Sequence, residues 1–585
     1  MRKAGSSDIG SRVWDDVWTR VLVLLLVVGS AIYFVGMALG SPDSSARAES
    51  EHYQGAAAGN PATVVLAAST GVGAAGEEDA ATLVGAGWVH RVTTTDTAVP
   101  TDSTGPTGTT PTTETTPPPE TTTTTESEPV DDIDAVEVDV VVYATQTSGL
   151  AAVRELVLGA PHLRVALISC GNLLETPLAQ GLSVEDARNI GDVDGGFYGE
   201  WRRDVIGYYN ARGVRPFTNS GRFVYEPTVA AKILWSYVFG DAAPNVRFYS
   251  AKLLAASDRE DRRYVDIQVE GAGLTRLNTT YFIDASVEGD LARMLGADYR
   301  IGRTEDVYND AQGSRPAYPS AENGYVTAPQ RFSALLTLKV QSQGRAPRIA
   351  DLLHPNYDRS SFAGTTFSAK NVAAFGSSWS MRIAVLPNGK RELNETWSDW
   401  PDIGLAFQWV FEPERRGDIR KRVLQWSINR ARYLQENGYP QVGIDSIPQK
   451  LYVREGPRIV GLDTYTAADL QSGALRQPVA VGCYCEYDRH DAFYPTHIET
   501  TRYANLPWGA LQAADHPALL VSTAVSTDFA AYSSAVRMEH TRANMGAAAA
   551  MTVMAAAESG MEPGEVAYEA IRTKLLARGY QIPPM

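Results

Sequence analysis

The sequence predicts an α/β protein, on three observations. Short β-branched runs, "VDVVVY" at Val138–Tyr143 and "RVALIS" at Arg164–Ser169, flank "GLAAVRELVLG" at Gly149–Gly159, which has the apolar spacing of a helix. More strand-like runs follow at Arg247–Ser257, Arg263–Gly271 and Thr279–Ser286, and a long Ala-rich helical stretch begins near Asn544. From Asp132 onward the composition is that of a globular domain long enough to bury a large core.

The N-terminal part is of another kind. Residues 1–20 carry Arg2, Lys3, Arg12 and Arg20, and residues 21–40, "VLVLLLVVGSAIYFVGMALG", contain no charge. About 20 apolar residues suffice to span a bilayer as a helix. The basic residues before the run place the N-terminus in the cytoplasm and the rest outside. An uncleaved transmembrane anchor is therefore expected, the alternative being a signal peptide cut after "ALG" or "ARA" and a secreted protein. No twin arginine precedes the run. Residues 41–92 are Ala/Gly-rich, and Ala62–Trp88 has the pattern of one small β-turn-α unit. Its "VVLAASTGVGAAG" weakly resembles the start of the small C-terminal domain of LytR-type cell-envelope proteins. Residues 93–131 are Thr/Pro-rich with almost no large apolar side chains, so a disordered linker is expected there.

Charge and cysteines exclude several classes. A net charge of −16 with no Lys/Arg run argues against nucleic acid as a partner. Cys170, Cys483 and Cys485 are too few for a disulfide framework, and Cys-x-Cys without a second ligand pair is a poor zinc site, so no metal is expected. No nucleophile elbow, P-loop or H-E-x-x-H is present.

The turn between the first strand and helix matters most. A dinucleotide fingerprint needs a strand, G-x-G-x-x-G opening a helix, and an acid about 20 residues on. Here the spacing holds, with Ser169 standing 20 residues after Gly149. The residue types are Ala144, Gln146 and Gly149 at the three glycine positions, and Ser169 for the acid. Ala144 costs about 1 kcal/mol if the turn needs positive φ. Gln146 puts a side chain where backbone would approach a pyrophosphate, either blocking it or bonding to it. The helix start near Ser148 and Gly149 still favours an anion. Ser169 can bond a ribose hydroxyl, more weakly than a carboxylate.

Other stretches give this frame a family. In "YFIDASVEGDLARMLGADYRIGR", Asp284-Ala285-Ser286 and Glu288-Gly289-Asp290 resemble the D-A-T/S-x-E/D-G-D pattern of FAD-dependent oxidoreductases with the glutathione-reductase superfold. Tyr532–Ala550 resembles that family's segment whose helix start points at the flavin ring. Phe223–Leu234, Pro387–Glu395, Arg454–Gly461 and Gly482–Asp491 match in order, so the resemblance spans Val138–Gly579. It departs at Thr523-Ala524, where the family has Gly-Arg, and at Cys485 and Glu486. The resemblance implies a Rossmann-like FAD-binding domain assembled from residues 132–304 and 501–585, with an inserted α+β substrate domain at 305–500. It also implies cofactor contacts from Ala144, Gln146, Ser148, Gly149, Ser169, Asp284, Gly289, Asp290, Asn544, Met545, Gly546 and Ala547.

Candidate chemistry is sparser. Asp488 and His490, two apart on an expected strand, share a face and are either an acid–base pair or ordinary hydrogen-bonded residues. Arg537, with Glu539 and Arg542, either holds an anionic small-molecule substrate or forms internal pairs. The resemblance implies hydride transfer from an organic donor to N5 of FAD, with reoxidation by oxygen or another acceptor. The alternative function is a non-catalytic cell-envelope binding protein that keeps the fold with a decayed FAD site.

Overall fold

The computed structural model describes residues 134–585, with breaks at 310–317, 321–325, 350–383 and 395–402 and at a few shorter stretches. The expected anchor, the Ala/Gly-rich segment and the linker lie outside the described residues. Among the described residues, no helix is long and apolar enough to cross a membrane.

An eight-stranded sheet organises the chain. Its strands are β1 (Asp134–Glu137), β2 (Val140–Tyr143), β3 (Val165–Ser169), β4 (Val246–Arg259), β5 (Arg262–Val269), β6 (Gly273–Asn278), β7 (Tyr281–Asp284) and β8 (Leu519–Val521), in the order β1-β6-β5-β4-β3-β2-β7-β8. From β4 to β8 the neighbours run parallel. β4 changes role along its length: Val246–Ser250 pairs parallel with β3, while Ala251–Arg259 turns into an antiparallel meander with β5 and β6.

The β-branched pattern of β2 explains its central place. Val140 and Val142 face a core shared with helices α1 (Thr147–Gly159), α2 (Gly196–Asn210) and α3 (Pro227–Val238). Val141 and Tyr143 point to the opposite core, under the meander. Both faces are covered, as a parallel sheet requires. The chain leaves β2 through α1 to β3 on one side and returns through β7 on the other. That makes the carboxyl ends of β2 and β7 a topological switch point, the usual ligand crevice of such sheets.

Two insertions approach this crevice. Helix α4 (Asp290–Leu295) follows β7 directly. Helices α5 (Ile403–Phe411) and α6 (Arg416–Glu436) belong to the intervening region, where α6 packs on a separate antiparallel sheet formed by Leu336–Val340, Lys390–Leu393 and Val442–Ser446. The chain closes with α7 (Glu539–Ser559) and α8 (Tyr568–Ala577). Small residues let α7 lie against the start of α1: a Cβ at Gly546 would stand 1.9 Å from the Ser148 carbonyl oxygen.

Candidate cofactor site

The turn after β2 keeps a glycine's shape without the glycine. Ala144 adopts φ +78°, in the left-handed region, while its N–H donates to Ile168 O at 2.8 Å. Gly149 has no room for a side chain, since a Cβ there would lie 2.1 Å from the Ala144 carbonyl oxygen and 3.0 Å from Ala285 Cβ. Gln146 stands at the N-cap of α1 but its side chain makes no capping bond. Its Oε1 is buried with no protein partner among the described residues.

The hydroxyls around the turn are engaged by the protein. Thr145 Oγ1 donates to Leu173 O at 2.9 Å and accepts from the Glu175 N–H at 3.0 Å. Ser169, fully buried, donates to the same Leu173 O at 3.2 Å. The ribose-reading position is thus turned inward, because residues 173–176 lie across the turn and offer an acceptor. Thr147 Oγ1 is 2.6 Å from Thr176 Oγ1 and also donates to the Glu539 carboxylate. Ser148 Oγ and Thr523 Oγ1 are 2.6 Å apart, tying the start of α1 to the segment that follows β8.

The Asp-Ala-Ser and Glu-Gly-Asp residues brace the crevice. Asp284 Oδ1 accepts from the Ser286 N–H and hydroxyl at 2.8 and 2.7 Å, and Oδ2 from the Ala292 N–H at 2.9 Å. Burial pushes its carboxyl up to about 6, although these bonds pull the other way. Gly289 precedes α4 at φ +60°, where glycine costs least. Asp290 pairs with Arg416 at 2.5 Å and with Arg293 at 2.8 Å. Burial raises the Asp290 carboxyl, but Arg416 and then Arg293 outweigh it and hold it below its ordinary range. Asp290 is therefore held by two arginines, one from α4 and one from the intervening region.

The C-terminal helix departs from expectation. It begins at Glu539, five residues before Asn544, so Asn544, Met545, Gly546 and Ala547 stand in its second and third turns rather than at its start. Asn544 Nδ2 donates to Val481 O at 2.8 Å, Met545 and Ala547 are core, and Gly546 packs on Ser148. The residues at the helix start are Glu539, His540 and Thr541, which the sequence pattern did not single out as cofactor contacts. Their signal was weak because they are polar residues buried as pairs. His540 Nε2 accepts the Cys483 N–H at 3.0 Å, and burial pushes its imidazole down to about 3.

Of the expected acid–base residues, Asp488 lies in the strand Glu486–Arg489 and His490 follows its last residue. The Asp488 side chain lies outside the described residues. His490 is buried, with its N–H on Gln330 Oε1 at 3.1 Å. Arg537 is buried and donates to Tyr452 Oη at 3.2 Å and Ser533 O at 3.3 Å. Arg542 Nη1 is 2.9 Å from Glu539 Oε1. Nearby, Glu455 accepts from Arg458 at 2.5 Å and also from Arg489, which reaches Asp491 at 2.6 Å. Sequence reasoning passed over this ion network, although its residues sit in the matching stretches Arg454–Gly461 and Gly482–Asp491.

The model of one family, FAD dependent oxidoreductase, matches residues 139–575. The chain belongs to that family. Its cofactor is FAD, and its general activity is redox chemistry with that flavin. No curated protein matches the chain significantly. Among solved structures it is similar to p-nitrophenol 4-monooxygenase PnpA from Pseudomonas putida DLL-E4, at 10% identity, covering 76% of this chain and 85% of that one, with a TM-score of 0.34. It is also similar to a point variant of E. coli quinol fumarate reductase FrdA, at 12% identity, 76% and 74% coverage and a TM-score of 0.30. To L-proline dehydrogenase from P.horikoshii the identity is 19%, over 27% of this chain and 24% of that one, with a TM-score of 0.18. Likenesses this distant do not bear on the reaction.

The turn fits FAD's pyrophosphate. Ala144 holds the required backbone conformation, Gly149 keeps the close packing, and α1 begins without a side-chain cap.

Proposed function

We propose that the chain is a membrane-anchored, extracytoplasmic FAD-dependent oxidoreductase acting on a small organic substrate by hydride transfer. The positive φ of Ala144 carries the flavin part of this reading. A strained non-glycine turn persists where its surroundings over-determine it, and such strain gathers at functional sites. When bound, FAD supplies the two-electron acceptor.

The chain's own residues would then act as follows. The N–H groups at the start of α1 hold the phosphates, with the Gln146 amide beside them. Asp284 and Gly289 shape the second turn lining the crevice, and Arg416 on Asp290 closes it from the intervening region. Arg537, buried, supplies fixed positive charge for an anionic group of the substrate. Asp488 and His490 remain the proposed proton-handling pair. The proposed domain division is residues 132–304 and 501–585 for FAD and 305–500 for the substrate. Residues 21–40 form the anchor, supported by their uncharged sequence. No nucleic acid partner is proposed.

A second reading, the non-catalytic envelope protein, has one observation in its favour. Thr145, Thr147, Ser148 and Ser169 all spend their hydroxyls on protein groups. A visible absorbance spectrum of the full-length protein in mild detergent, before and after excess FAD, separates the two. A protein-bound flavin band is the outcome the oxidoreductase reading requires. No band from a chain that melts cooperatively would favour the second reading.

A further inference from the structure

The phosphate turn carries a carboxylate of its own. Glu539, the first residue of α7, is 6% exposed and accepts the hydroxyl hydrogen of Thr147, the first residue of α1. An uncapped helix start is where negative charge is most favoured. Here a fixed protein acid already borders that place, and a dinucleotide brings phosphate charges to the same turn. In a site with little water, like charges this close repel strongly.

Movement offers Glu539 little relief. The α7 backbone at Gly546 leaves no room for even a Cβ against Ser148 O, and Ser148 is tied to Thr523 at 2.6 Å. Thr147 is tied on its other side to Thr176 at 2.6 Å. The two helix starts are thus held together, and the charge can be removed more readily by a proton than by displacement.

We propose that Glu539 couples FAD binding to proton uptake, the turn holding the dinucleotide most tightly when Glu539 is neutral. This rests on the reading of the turn as the FAD phosphate site. The groups facing Glu539 are Arg542 on α7, Arg537 just before it, Tyr532 bonded to Arg542, Tyr225 before α3, and Thr147 on α1. Burial raises the Glu539 carboxyl, and Arg542 and then Thr147 only partly reverse this, leaving it above its ordinary value. Burial raises Tyr225 and Tyr532, and it lowers neighbouring His540 to about 3. Burial therefore favours the neutral form of Glu539 in this surround.

The test is FAD binding by the full-length protein in mild detergent, read as quenching of flavin fluorescence from about pH 5 to about pH 8.5. As Glu539 ionises, the Kd of the native protein should rise by up to about tenfold per pH unit. Glu539→Gln should flatten that rise and bind about tenfold more tightly than the native protein at the alkaline end. Calorimetry in two buffers of different ionisation heat reads proton uptake on the native protein alone, so the result does not depend on how the variant folds. FAD binding with a pH-independent Kd and no proton uptake would overturn the coupling and leave the FAD reading standing. No flavin binding by either protein at any pH, with both melting cooperatively, would overturn the two together.

Discussion

Gly149 sits directly beneath Ala144: a Cβ on the glycine would meet the alanine's carbonyl oxygen at 2.1 Å. The contact is backbone against backbone, so neither partner can rotate away. Gly149→Ala should destabilise the protein by about 3 kcal/mol or more, at the upper end of overpacking costs. Thermal unfolding followed by circular dichroism reads this directly, and an unchanged melting temperature would show that α1 can shift along β2.

Ala144 gives the opposite prediction from the same turn. Its φ of +78° burdens an L side chain and costs glycine nothing. Ala144→Gly should therefore stabilise the fold by about 1 kcal/mol, less what is lost to the unfolded chain's extra freedom. Denaturant unfolding measures the midpoint, which should rise at unchanged slope. A drop would mean that the methyl group's packing outweighs the strain.

The contrast shows what the sequence reveals. The strand–turn–helix frame was legible because its signals are local: β-branched runs, helical spacing and one glycine at the right interval. The side-chain roles were not, because distant segments set them. Ser169 has the spacing of a ribose reader, but residues 173–176 cross the turn and present the Leu173 carbonyl to it. Asp290 has the motif position, yet Arg416, far along the chain, neutralises it. The start of α7 was hidden because Glu539-His-Thr-Arg542 carries no apolar period. Those residues are buried through Thr147, the Cys483 N–H and one another.

Ser169 makes that lesson measurable. Spacing suggests restoring an acid there to strengthen ribose binding. The structure predicts a different result, since the side chain is fully buried and faces the Leu173 carbonyl oxygen at 3.2 Å. Ser169→Asp should cost about 3–5 kcal/mol, as an uncompensated buried charge does. Ser169→Ala should cost only about 1 kcal/mol for one neutral hydrogen bond. Equal stability of the two variants would show that position 169 opens to solvent and can accommodate a carboxylate.

His516 and Asp258 link stability to pH at a site away from the crevice. His516 Nδ1 lies 2.6 Å from Asp258 Oδ2. Burial pushes the imidazole down, but the hydrogen bond and charge of Asp258, with the Gly296 backbone, outweigh it and leave the value raised. A raised folded value means the protonated imidazole favours the native state. The contribution is fully present below the unfolded histidine's value of about 6.5 and is lost as pH rises through the folded one. It amounts to about 1.4 kcal/mol for each pH unit separating the two values. Asp258→Asn should flatten this part of the stability–pH curve and leave stability well above both values nearly unchanged. Urea unfolding of both proteins from about pH 5.5 to about pH 9 checks it. A native curve that stays level through that range would show that His516 folds without gaining a proton from its partner.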